Sequence, residues 1–200
     1  MQQAIQHLRS SDPILSEIID RVGAYGIQFR DPSFETLVKS IVYQQLSGRV
    51  ASVIFERVLK AAGGSLTPAG ILKLLPSRMR SLGLSTQKTA YIRDLARHAR
   101  DGSVVFEKLT GLDDAAVIEH LTQVKGIGVW TAHMFLMFAL RRPNILPTGD
   151  LGIRNAVKKA YGLEELPGHE EIEQLAERWR PYCTVASWYL WRSLEPNANL

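Results

Sequence analysis

Two short stretches carry residue types that could do chemistry. One is Val124-Lys125-Gly126-Ile127-Gly128-Val129-Trp130-Thr131-Ala132. The other is Leu146-Pro147-Thr148-Gly149-Asp150, whose carboxylate comes twenty residues after Trp130. Gly126 and Gly128, after a helix-like stretch and before an apolar one, describe a tight hairpin between two helices. They leave N–H groups facing outward at the start of the second helix, where unpaired amides and the helix dipole favour an anion. Lys125 beside them fits a phosphate of a nucleic-acid backbone. Asp150 precedes a helical pattern that begins at Leu151, so it fits an N-cap. Capping and chemistry are compatible there, because the dipole favours negative charge and a catalytic carboxylate must face developing positive charge. Pro147 and Gly149 would fix the loop that aims it.

The elements that position these stretches read as helical nearly throughout. Asp12-Pro13, Asp31-Pro32 and Thr67-Pro68 each place a capping residue before a proline at the first helical position. Phe34, Leu37, Val38, Ile41 and Val42 follow helical spacing, as do Val50, Val53, Ile54, Val58 and Leu59 after Ser47. Gly63-Gly64 closes that second helix. From Ser85 to Arg100, Ala90, Leu95 and Ala99 alternate with Lys88, Arg93, Arg97 and Arg100, giving an amphipathic helix with a basic face. Val104 to Leu109 reads as a short strand or as a loop leading into Asp113–Thr122. Val129 to Leu140 is apolar nearly all round, which predicts a buried helix. Segments from Leu151 to Tyr161, Glu170 to Trp179 and Pro181 to Leu194 complete an all-α chain. No repeat, low-complexity tract or long linker interrupts it.

Composition is compatible with this reading without pointing to it. Two hundred residues suffice for one domain with a substantial core. The net charge of +4 is a mild basic excess that suits a polyanionic partner. The single cysteine, Cys183, excludes an intrachain disulfide and any four-cysteine metal site. The five histidines show no metal-ligand spacing, and His133 reads as a core residue. The first residues lack a basic region leading into an apolar run, so no signal peptide is expected. Val129–Leu140 is too short to span a membrane and contains His133. Together these predict a reducing, membrane-free setting.

The hairpin resembles the helix-hairpin-helix of DNA repair glycosylases, and residues Leu146 to Ile153 are similar to that family's Gly/Pro-rich loop with its catalytic aspartate. The likeness is greatest to the alkylation-repair branch, the 3-methyladenine DNA glycosylase II type. Ser40-Ile41-Val42-Tyr43-Gln44-Gln45-Leu46-Ser47 resembles the family's minor-groove wedge segment. Leu82-Gly83-Leu84-Ser85, followed by Lys88 and Tyr91, resembles the middle of the domain, and Ala176-Glu177-Arg178-Trp179-Arg180-Pro181 through Trp191 its last helices. The resemblance runs from about residue 30 to the end, and implies a compact version of the fold without the extra β-rich domain of some relatives.

What the resemblance implies is specific. The fold would be all-α, with two helical subdomains flanking a DNA-binding and base-binding cleft within one compact glycosylase domain over residues 1–200. The helix-hairpin-helix would occupy about 113–140 and the catalytic loop 143–152. Asp150 would be catalytic, with Trp130, Met134 and Trp191 lining the base pocket. Leu46 would be the wedge that fills the space left by an extruded nucleotide, with Gln45 plugging toward the opposite base. Lys125, Gly126 and Gly128 would bind DNA phosphate. The backbone carbonyls of Thr122, Val124 and Ile127 would hold a structural Na+ or K+ bridging to that phosphate; no cofactor is otherwise required. Met134 stands where near relatives can carry an aromatic, which bears on pocket shape.

Trp130 separates two chemistries within the family. Bifunctional members carry a lysine there that attacks the sugar and permits strand cleavage. Trp130 has no nucleophile, so the resemblance implies a monofunctional enzyme that releases a base and leaves an abasic site. Alkylation at a purine ring nitrogen makes the base cationic and a good leaving group. Asp150 then needs only to stabilise an oxocarbenium-like sugar and orient or deprotonate water. Trp130 and Trp191 would favour a cationic base by cation–π attraction. The expected partner is double-stranded DNA containing alkylated bases, met by a monomer in the bacterial cytoplasm and nucleoid or in a eukaryotic nucleus. A different class, the non-catalytic helix-hairpin-helix DNA-binding module, leaves Asp150, Gln45-Leu46 and Trp191 without a role. A bifunctional enzyme with an iron-sulfur cluster conflicts with Trp130 and the lone Cys183.

Overall fold

The computed structural model describes residues 1–195, and every regular element among them is helical. In chain order these are α1 (Gln2–Ser11), α2 (Pro13–Val22), α3 (Phe34–Tyr43), α4 (Gly48–Ala61), α5 (Pro68–Lys73), α6 (Pro76–Ser81) and α7 (Thr86–Asp101). There follow α8 (Phe106–Leu109), α9 (Asp114–Thr122), α10 (Val129–Phe138), α11 (Leu151–Tyr161) and α12 (His169–Ala176). A 3-10 turn at Glu177–Trp179 leads into α13 (Cys183–Ser193). No helix among the described residues is long and apolar enough to cross a membrane.

The chain forms two compact units. One is continuous, Arg30–Leu140; the other joins Met1–Phe29 to the chain from Arg141 onward. In the continuous unit α7 is the organising helix, packing against α3, α5 and α6, while α9 packs on α10. Ser85 caps α7 by accepting from the Lys88 amide at 3.1 Å. The α7 face carrying Ile92, Leu95 and Ala96 is buried. Phe106 stands edge-on to both Phe34 and Phe135, with centroids 6.3 Å apart in each pair, and so ties α3, α8 and α10 together.

In the discontinuous unit α2 packs against α1 and α13, and α11 against α13, over a core that includes Leu8, Leu15, Ile18, Ile153, Trp179 and Leu190. Asp12 is fully buried at its centre. Its Oδ1 accepts the Ile14 and Leu15 amides at 3.1 Å each, capping α2. Its Oδ2 accepts the Trp179 indole N–H at 2.8 Å and the Tyr161 hydroxyl. A buried carboxylate is tolerated only with such a set of donors. Burial, and then the bond to Asp12, push the Tyr161 hydroxyl far above the usual phenol range.

Three local expectations give way. Asp31-Pro32 does not start a helix: Ser33 is the N-cap of α3, its hydroxyl oxygen accepting from Thr36 N–H at 3.3 Å. Serine caps as well as aspartate, and Pro32 falls outside the helix. Residues 104–109 form no strand; Phe106–Leu109 is a single helical turn, held by the aromatic contacts of Phe106. Finally, α10 is not buried all round. Val129 and Trp130 in its first turn are exposed, and burial begins at Thr131. The apolar first turn is an outward surface, a point that bears on function.

Candidate functional site

The hairpin is built by α9, α10 and the turn between them. Gly126 takes φ +84°, a left-handed conformation, and a Cβ there would lie 2.1 Å from the Tyr91 ring. No other residue fits. Gly128 differs: its φ of −94° suits any residue, and a Cβ would meet nothing within 4 Å. As the N-cap of α10 it brings no side-chain cap. Gly126 is therefore demanded by the fold, while Gly128 keeps backbone approachable from outside. The turn is also held by Asp94, a nearly buried carboxylate that accepts the Lys125 amide at 3.0 Å. Arg97 donates to its other oxygen at 3.0 Å. The Lys125 side chain is exposed. Near the turn, the Val124 carbonyl accepts the Ile127 amide at 3.0 Å.

The segment after α3 is a type II β-turn. Gln44 has φ −54° and ψ 129°, Gln45 has φ 56°, and the Leu46 amide donates to Tyr43 O at 3.3 Å. The third position of such a turn favours glycine; a glutamine there costs about 1 kcal/mol or more. Gln45 is exposed and Leu46 is 38% exposed. The Lys88 ammonium donates to Val42 O at 2.7 Å and Gln44 O at 2.6 Å. The Gln44 side chain donates to Gly126 O at 3.0 Å, joining the turn to the hairpin.

These elements enclose a cleft of about 620 Å³ within the continuous unit, the size of a small-molecule site. Gln45, Gly126, Gly128, Trp130 and Met134 line it, so five of the residues singled out in the sequence come together. Trp130 is 46% exposed, and Met134 is half-buried one helical turn further on. Arg30, Lys39 and Tyr43 also line the cleft. The Lys39 ammonium stands 5.7 Å from the Tyr43 ring centroid and 5.4 Å from that of Phe55. Sequence reasoning missed the cations: Arg30 precedes its helix, and Lys39 reads as the polar side of α3.

Asp150 and Trp191 belong to the other unit. Asp150 is the N-cap of α11: its Oδ1 accepts the Ile153 amide at 2.9 Å. The same oxygen accepts the Trp191 indole N–H at 2.8 Å. Both donors stabilise negative charge on the carboxylate. Gly152 makes this possible, since a Cβ there would lie 2.9 Å from Asp150 Oδ1 and 3.0 Å from Trp191 Cδ1. The loop is fixed on each side. Thr148 and His169 share a 2.8 Å hydrogen bond, and the Asp150 amide donates to Pro147 O at 2.9 Å. Thr184, buried in α13, donates to Arg142 O at 2.6 Å and accepts the Ile145 amide at 3.0 Å. His169, Thr184 and Gly152 were not found in the sequence. Only Gly152, two residues past an N-cap where glycine has no capping use, offered a signal.

Comparison with known proteins identifies the family and the fold. Residues 38–181 match the HhH-GPD superfamily base excision DNA repair protein family. A DNA-3-methyladenine glycosidase structure from Bacillus halodurans superposes with a TM-score of 0.86 at 38% identity, over 94% of this chain and 88% of that one. The Schizosaccharomyces pombe 3-methyladenine DNA glycosylase Mag1, in complex with abasic DNA, gives a TM-score of 0.84 at 31% identity over 95% of each chain. A putative DNA-3-methyladenine glycosylase of Bacillus subtilis, YfjP, is 30% identical over 98% of this chain and 70% of its own length. With residues 38–181 matched by the family model and two related structures superposing over nearly the whole chain, the chain belongs to the HhH-GPD superfamily of base excision DNA repair proteins, with the all-α helix-hairpin-helix glycosylase fold.

Proposed function

We propose that this protein is a monofunctional DNA glycosylase that excises alkylated purines from double-stranded DNA by hydrolysing the N-glycosidic bond, in base excision repair. The carrying observation is the Asp150 carboxylate, held at a helix N-terminus by the Ile153 amide and the Trp191 indole. One fixed carboxylate suffices for this chemistry. A ring-alkylated purine leaves readily because it is already cationic, so the barrier lies in the positive charge that develops on the sugar. Asp150 opposes that charge and orients or deprotonates the attacking water. Trp130, which lines the cleft, and Trp191 stack on the base and favour a positive one; Met134 widens the range of purines accepted, being flexible and polarisable. Lys125 and the amides around Gly128 grip phosphate, and Leu46 with Gln45 occupies the stack when the base leaves it.

With tryptophan at position 130, no amine attacks the sugar C1′, and the product is an abasic site in an unbroken strand. Incubating the protein with methylated duplex DNA tests both halves of this reading. Release of methylated purines with intact strands until alkali or heat is applied is the expected result; strand breaks without either treatment would overturn the monofunctional assignment. The carbonyls of Thr122, Val124 and Ile127 would suit a hard monovalent cation, which prefers oxygen ligands. DNA affinity should then be lower in tetramethylammonium than in K+ at equal ionic strength.

A further inference from the structure

Lys88 is the least expected feature of the continuous unit. An ammonium group on the basic face of α7 would ordinarily extend into water. Here it is turned onto two main-chain carbonyls, Val42 O and Gln44 O, and no carboxylate among the described residues lies within ion-pair distance of it. Those carbonyls close the last turn of α3 and open the strained turn at Gln45. A helix C-terminus carries partial negative charge on unsatisfied carbonyls, and a cation there is favourable. Gln44 then extends the chain of contacts to Gly126 O in the hairpin, against which Tyr91, three residues after Lys88 on α7, presses its ring. One helix thus touches both the wedge turn and the phosphate-binding turn.

We propose that Lys88 is a positioning residue for base extrusion: its ammonium holds the Tyr43–Leu46 turn in the strained form that projects Gln45 and Leu46, and through Gln44 sets that turn against the hairpin. The inference rests on the proposed wedge role of Gln45 and Leu46. Partial burial lowers the Lys88 pKa, a cost that the two charge-assisted bonds offset. Without the ammonium, two carbonyls lose their donor and Gln45 relaxes toward an ordinary conformation. The wedge is still present but no longer presented.

The test is stopped-flow fluorescence of 2-aminopurine placed next to the lesion in duplex DNA, which reports unstacking, together with binding to undamaged duplex. Lys88→Met should slow unstacking and base release by roughly tenfold or more, the scale of one lost hydrogen bond to a charged group. Affinity for undamaged duplex and its salt dependence should stay near wild type, because Lys125 and Gly128 are untouched. A purely structural role would lower binding and extrusion together and would overturn the inference. Gln44→Leu cuts the link to Gly126 while leaving Lys88 in place, and carries the same test if Lys88→Met does not fold. Leu46→Ala separates the two readings. If Leu46→Ala is impaired in unstacking while Lys88→Met and Gln44→Leu are not, the positioning role fails alone. If Leu46→Ala unstacks like wild type, the wedge reading falls and the inference with it.

Discussion

The hairpin at 124–130 and the loop at 146–152 are both short, glycine-containing turns that lead into helices, yet they are held in opposite ways. The hairpin is shaped mainly by what is absent. Gly126 has no Cβ because Tyr91 fills its place, and Gly128 offers no side chain to cap α10. At Gly128 it exposes bare main chain, suited to a partner that is itself uniform, such as a phosphate backbone. The aspartate loop is shaped by side chains: Thr148 on His169, Thr184 on the backbone of 142 and 145, and Trp191 on Asp150. Its product is one oriented, half-buried carboxylate. One turn leaves bare backbone to be approached; the other uses side chains to fix the position of a single carboxylate.

Substitutions can break or sharpen this contrast. The largest effect is expected from Asp150→Asn. The amide oxygen can still accept from Ile153 and Trp191, so stability should change by less than about 1 kcal/mol. Base release should fall by about a hundredfold or more, the scale of losing one preorganised electrostatic group. Single-turnover assays beside a thermal melt measure both; near wild-type release would reduce Asp150 to a cap. Next comes Gly126→Ala, which forces a methyl into the Tyr91 ring at a positive φ and should destabilise the protein by about 2 kcal/mol or more in chemical denaturation. Gly128→Asp should do the reverse, changing stability by within about 0.5 kcal/mol, as an unhindered surface site does. It should weaken binding to every duplex and flatten the dependence of affinity on salt; unchanged affinity in a salt titration would remove Gly128 from the phosphate site. The smallest effect is expected from Gln45→Gly, which relieves the strained turn. Stability should rise by about 1 kcal/mol while lesion unstacking slows, so a variant that is both more stable and fully active would show that Gln45 has no role in extrusion.

Much of this was legible in the sequence because the signals are local. Asp12-Pro13, Thr67-Pro68 and Asp150 all cap as read, since an N-cap depends on an amide two or three residues away. The Asp31-Pro32 reading failed because Ser33 could serve as well, and local rules do not rank two adequate caps. Residues that act across long sequence distances were illegible. Asp94 and Lys88 sit on α7 among charged residues that look like a solvated face, and only the fold reveals that one holds the hairpin and the other the turn after α3. The exposed first turn of α10 misled for a related reason. Periodicity separates apolar from polar faces, and an apolar residue left outward looks the same as one in the core.

The buried Asp12 has a consequence for synthesis. Its side-chain partners Tyr161 and Trp179 lie 149 and 167 residues further along the chain. A ribosome extends a chain at roughly 5–20 residues per second and domains tend to fold as they emerge, so α1 and α2 exist for seconds before any distant side chain can reach the second oxygen of that carboxylate. The contiguous unit from Arg30 to Leu140 has all of its own contacts available during that wait. The amino-terminal helices are therefore made first and finished last, and a pause or truncation before Trp179 would strand a polar centre designed to be dry while leaving the hairpin-bearing unit able to form.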